Sequence, residues 1–227
     1  MRKVKKDYEE QLEQQIANTL SMLLQNKLLY TYNNLKREYL DKDTIRISWN
    51  NHSSGKFNMG DNFLKLDQYK QIIMNRSYLC ILFDGSLIRV SYTIRNGKLI
   101  GHNLLWWPAP YKYSKVSLDD VSPDQMILDF MDDDQWYDHM EMRSPVRIDY
   151  DPRQEVVSEI HPPVHMHMQH KDCRIFVERP ICFNLFIKFI FTNFYPDKKI
   201  YLNFNDYIFF DNEDAYSQME GLTKIVC

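Results

Sequence analysis

Glycine is scarce, with 6 residues in a chain of 227, where an average share of ~7% would give about sixteen. So few glycines make a phosphate-cradling loop hard to build, and neither G-x-G-x-x-G nor a Walker loop is present. Cysteine is sparse as well. Cys80, Cys173, Cys182 and Cys227 are scattered with no CxxC pair, which excludes a cysteine zinc finger and reads as reduced, mostly buried thiols of a cytoplasmic protein. Long apolar runs are missing. The greasiest stretch, residues 181–194, is interrupted by Asn184, Lys188, Thr192 and Asn193 and is shorter than the ~20 residues of a membrane span. The segment MRKVKKDYEEQLEQQ has no apolar h-region, so no secretory leader and no membrane partner are expected. Positive charge is not in excess: 28 Lys and Arg against 31 Asp and Glu give a net charge of −3. There is no overall basic field to hold nucleic acid without specificity, although local basic residues could still do so.

What is present is ample core material, 44% hydrophobic and 14% aromatic, enough for one large domain or one domain with a helical appendage. Residues 5–39 lack glycine and proline, and Leu12, Ile16, Leu20, Leu23 and Leu24 recur at helical spacing, followed by Leu28, Leu35 and Leu40. This predicts one long helix or a broken pair, packed on the domain rather than forming a coiled coil. The division that follows is 1–42 as an N-terminal helical segment and 43–227 as the main domain. Residues 45–49 suggest a strand and 64–73 a short helix. Three alternating runs, 78–83, 87–94 and 99–107, are separated by Asp84-Gly85 and Asn96-Gly97, dipeptides that favour tight hairpin turns. The meander ends at Trp106-Trp107, of which one ring is expected at a surface or groove. Ser122-Pro123 opens a helix that dissolves in Asp132-Asp133-Asp134, read as a solvated loop. Residues 146–150 (VRIDY) and 173–177 read as strands, 181–195 as an amphipathic helix, and 201–210 as a last strand. The fold class is α+β, an antiparallel meander sheet covered by helices.

The chemistry concentrates in HPPVHMHMQHKDCR, residues 161–174, which hold four of the seven histidines. Read as a strand, His165 and His167 project from one face while Val164, Met166 and Met168 take the other. In the same way Arg147, Asp149 and Asp151 share one face of the preceding strand. Two imidazoles at i and i+2 can ligate a divalent metal, with Asp149 the obvious carboxylate and His161 or His170 the alternatives. Without metal, one imidazole can take a proton and another give one, while Arg147 or Arg174 holds a phosphate. Phosphodiester hydrolysis needs that set. The competing readings are a surface strand with a plain Arg147–Asp149 ion pair, a zinc-stabilised fold, and a non-catalytic module binding a partner protein through Trp106/Trp107 or the N-terminal helix. A deubiquitinase-type H-x-H would need a nearby serine, and none follows until Ser217. H-E-x-x-H and G-x-S-x-G are absent. The histidine-triad pattern of nucleotidyl transferases and hydrolases is a near miss at His165–Gln169, broken by His170 and Lys171.

The motifs H-P-x-x-H-x-H, C-R-I-x-V and F-I-x-F-I-x-x-N-F-Y, in roughly the last third of the chain, resemble an uncharacterised bacterial domain-of-unknown-function family, number twenty-two ninety. R-x-D followed by clustered histidines is more faintly similar to TumE-type toxins. The likeness implies an RNA-cleaving nuclease or other toxic enzyme of a toxin–antitoxin or anti-phage defence system. It would act on RNA and partner an antitoxin or a defence-complex subunit. His161, His165, His167 and Arg174 would then be its motif residues, with Arg147 and Asp149 beside them.

Overall fold

Two turn dipeptides organise the middle of the chain. At Asn96-Gly97 both residues take positive φ, 52° and 74°, the geometry of a two-residue hairpin, and Arg95 pairs with Lys98 across it. At Asp84-Gly85 the glycine turns at φ 81°, and Asp84 Oδ1 accepts the Ser86 N–H at 3.0 Å. A computed structural model describes residues 7–52, 66–110, 125, 141, 143–153, 161–169 and 172–210. Among these residues lie nine strands of one antiparallel sheet: β1 (Leu29–Tyr32), β2 (Leu35–Tyr39), β3 (Thr44–Trp49), β4 (Cys80–Leu82), β5 (Leu87–Arg95), β6 (Lys98–Trp107), β7 (Val146–Tyr150), β8 (Val164–Met168) and β9 (Ile175–Phe176). Three helices accompany them: α1 (Tyr8–Gln25), α2 (Leu66–Met74) and α3 (Phe183–Phe194). The α+β class and the meander are as the sequence leads one to expect. The main path runs β1-β4-β5-β6-β7-β8-β9, and one edge of β5 is shared, β4 taking its beginning and the β2–β3 pair its end.

The sheet is covered on both faces. On one, α1 and α3 lay Leu12, Ile16, Leu23, Phe183, Phe186, Ile190 and Phe191 over Val90, Tyr92, Leu104, Trp106, Ile148 and Met166. Each such fully buried side chain contributes about 1.5–3 kcal/mol. A buried polar seam fixes how the two helices meet. Thr19 hydrogen-bonds Asn184, and the Gln15 and Asn184 amides both donate to the Asp206 carbonyl, at 2.8 and 2.7 Å. On the opposite face α2 brings Tyr69, Ile72 and Ile73 against Ile81, Leu87, Leu105 and Trp107.

Four expectations change. The N-terminal helix stops at Gln25, and residues 29–39 are strands rather than its continuation. Lys27 takes a left-handed φ of 55°, and the Leu28 N–H closes on the Leu23 carbonyl at 2.8 Å, a Schellman stop made without glycine. Trp106 and Trp107 are both buried, 1% and 4% exposed, because each side of the sheet has its own core. Trp106 Nε1 donates to the Tyr195 hydroxyl at 3.2 Å. Residues 202–210 carry no strand; they run as an irregular strap whose carbonyls serve α1 and α3. The strand expected over 173–177 is only two residues long. Free Cys80 and Cys182 are buried and Cys173 half-buried. No described helix is long and apolar enough to cross a membrane. Apart from helical Gln125, the helix expected after Ser122-Pro123 lies outside the described residues, as do Asp132–Asp134, His170 and Cys227.

Candidate functional site

The alternation of β8 decides what reaches the site. Val164, Met166 and Met168 point to the α1/α3 core, so His165 and His167 must point to the other face. Antiparallel register then selects their neighbours. Asp149 of β7 stands opposite His165, and Arg147 opposite His167. One strand further, Asn103 of β6 stands opposite Asp149. On the outer side Phe176 of β9 stands opposite His165. Five residues predicted from sequence therefore come together: His161, His165, His167, Asp149 and Arg147. Arg174 lies one residue beyond the β8–β9 ladder, on the side of His167, and its Nε is buried with no hydrogen-bond partner among the described residues.

The contacts are close. The His161 and His165 ring centroids are 4.8 Å apart, and those of His165 and His167 4.7 Å. His165 and His167 are buried, 2% and 3% exposed, while His161 is half-buried. The Asp149 carboxylate is the hub. It accepts Arg147 Nε at 2.8 Å on Oδ2 and the Asn103 amide on Oδ1, and His167 Nε2 stands 3.4 Å from Oδ2. One ligand atom each from Asp149, His165 and His167 fall within 4.8 Å of one another. His165 Nδ1 lies 2.7 Å from the Pro162 carbonyl. A carbonyl can only accept, so Nδ1 carries the proton and Nε2 keeps the lone pair. His167 Nδ1 is buried without a partner among the described residues.

Electrostatics follow from this packing. Burial pushes the His165 pKa down to about 4, outweighing the opposing pulls of Asp149 and the Pro162 carbonyl, and nearby His167 and His161 add smaller downward pushes. The ring is neutral at pH 7. Burial by itself would raise the Asp149 carboxyl, but the His167 contact and the Arg147 charge outweigh it and hold the group below the ordinary carboxylate range. The site thus combines an ionised carboxylate, a neutral imidazole with one nitrogen free to bind, and a fixed cation.

Asn103 is the residue that sequence reasoning passed over. Its only signal is an amide placed among Leu104, Leu105 and the tryptophans of β6, and it gains meaning only from the β6–β7 register. His102, its neighbour, points to the opposite core and takes no part. Its Nε2 accepts the Ile181 N–H at 3.2 Å, between the rings of Tyr92 and Tyr150.

Fold and site together define an α+β protein whose antiparallel sheet carries a two-histidine, one-carboxylate cluster on one face. The chain belongs to the uncharacterised conserved protein family DUF2290, whose family model matches residues 28–222. Neither the curated proteins nor the solved structures hold a significant match to it. The likeness to TumE-type toxins gains no support from the family match.

Proposed function

We propose that this chain is a phosphodiester-cleaving hydrolase acting on RNA, with its chemistry at His165, His167 and Asp149. The observation that carries the reading is the convergence of three imidazoles, one carboxylate and Arg147 from neighbouring strands. Cleaving a phosphodiester requires a group to activate the attacking oxygen, a group to protonate the departing one, and positive charge beside the phosphate. His165 and His167 serve as proton carriers or as metal ligands. Half-buried His161 stands where it can exchange protons with solvent. Arg147, and Arg174 beyond it, supply cationic fork geometry suited to a phosphate. The setting we infer is a bacterial toxin–antitoxin or anti-phage locus in the cytoplasm, with an antitoxin or a defence-complex subunit as protein partner. A neighbouring antitoxin-like or ATPase gene would support that setting.

The test is cleavage of labelled RNA by the purified full chain, alongside His165→Ala and His167→Ala. Both variants are expected to lose at least a hundredfold in rate while circular dichroism and the thermal midpoint stay close to those of the parent chain. Undiminished cleavage by folded variants, or no cleavage of any RNA or phosphodiester by the parent chain, defeats the reading. Collapse of the fold in both variants would assign the histidines to structure instead.

A further inference from the structure

We infer that Asp149, His165 and His167 form a mononuclear site for a first-row divalent transition ion, with zinc, manganese and iron(II) the class it fits. The inference rests on the site assigned above for its place in catalysis, but the metal and the phosphodiester chemistry can fail separately.

Two observations point to an ion. The first is the spacing. His167 Nε2 and Asp149 Oδ2 are 3.4 Å apart, long for a charge-assisted hydrogen bond, which runs at about 2.7–2.9 Å. It is the separation of two ligands on one tetrahedral ion, which bonds of ~2.0–2.1 Å place about 3.3–3.4 Å apart. All three ligand atoms lie within 4.8 Å of one another, so the widest pair closes by up to about 1.4 Å to reach the spacing of ligands on one ion.

The second is preparation of the ligands. His165 Nδ1 at 2.7 Å from the Pro162 carbonyl leaves Nε2 unprotonated, the backbone contact that orients ligating histidines. Asp149 is held by Asn103 on one oxygen and Arg147 on the other. A carboxylate has about four lone-pair sites, so both contacts leave room for a metal bond.

Two features work against an ion. His167 is 3% exposed, and its Nδ1 has no partner among the described residues. Ligation of this ring through Nε2, the nitrogen beside Asp149, would leave the proton on Nδ1 without an acceptor among the described residues. Arg147 opposes the ion by its charge. The compensation is chemical: a divalent ion and a guanidinium against a single carboxylate leave the site positive, suited to an anionic phosphate.

The donor set chooses the metal class. Imidazole nitrogen favours first-row transition ions, whereas Mg²⁺ and Ca²⁺ prefer all-oxygen sites. Three protein ligands also leave positions for water or a phosphate oxygen, as catalytic rather than structural metal sites do.

The experiment is titration of the tag-free full chain with Co²⁺, Zn²⁺ and Mg²⁺. Co²⁺ is followed by its visible d–d bands and Zn²⁺ by calorimetry. One equivalent of Co²⁺ and of Zn²⁺ should bind, with Mg²⁺ at least a hundredfold weaker. Asp149→Asn, His165→Gln and His167→Gln should each abolish the stoichiometric site while circular dichroism shows the fold kept. Asn103→Ala should weaken it about tenfold, as loss of a ligand-orienting partner does. No stoichiometric ion, or one whose binding all three ligand variants leave unchanged, overturns the inference. RNA cleavage by a chain that binds no metal would sink the metal and leave the proposed function standing. Metal binding without any cleavage would do the reverse.

Discussion

Two histidine-bearing parts of this sheet invite comparison. His102 and His165 are both buried, 5% and 2% exposed, and burial pushes each to a pKa of about 4. Yet one serves the core and the other anchors a site. His102 faces the α1/α3 side, where aromatic rings surround it and one backbone N–H occupies its Nε2. His165 faces the α2 side, where Asp149, His167 and His161 converge on it. A depressed pKa is common to both, so it cannot be the mark of function. Convergence of unlike polar groups from neighbouring strands is what sets the second region apart.

The sharpest way to break the contrast is to damage each face and compare. Phe186→Ala, deep under α3, should cost about 3–5 kcal/mol in urea unfolding, while the histidine substitutions on the other face should cost far less. Equal losses would mean that the site face is as structural as the core. Acid is the next lever. The His102 pKa falls from the usual 6.5 to about 4 on folding, so between these values the unfolded chain binds the proton more readily. The stability is present above pH 6.5 and drains away as pH falls toward about 4, by up to roughly 3 kcal/mol for this group. Urea midpoints measured in steps across that window should decline, and His102→Gln should lessen the decline, the remainder falling to His165 and His52, each also depressed to about 4. An unchanged slope would show that His102 is not the group responsible. The smallest effect concerns the helix stops. Lys27 and Arg76 sit at left-handed φ of 55° and 49°, where a side chain is strained by about 1 kcal/mol. Lys27→Gly and Arg76→Gly should each raise stability by a few tenths to about 1 kcal/mol, and a loss at both positions would refute that account of the two helix ends.

The same residues explain what could be read in advance. Asn96-Gly97 announced its hairpin because both positions need left-handed backbone, and H-x-H announced a polar face because strand side chains alternate. The end of α1 was illegible, since Lys27 performs a glycine's task with no compositional trace. The burial of both tryptophans was hidden for another reason. Alternation tells which residues oppose each other across a strand, but not that a second core covers the far side. Asn103 could not be joined to Asp149 by spacing, because their sequence separation says nothing until β6 and β7 are aligned. The extra helix length expected through residue 39 came from Leu28, Leu35 and Leu40, which recur at near-helical intervals by accident in and beside two short strands.

The Val-His-Met-His-Met order of β8 also guards against misassembly. A slip of one position relative to β7 would drive both imidazoles into hydrocarbon and strand two methionines among charged groups, since strand side chains repeat every second residue. The strand is therefore self-checking: the apolar half enforces the alignment that the polar half needs. Inserting a single residue between Pro163 and Val164 would be expected to ruin the sheet and the cluster together, though neither has lost an atom.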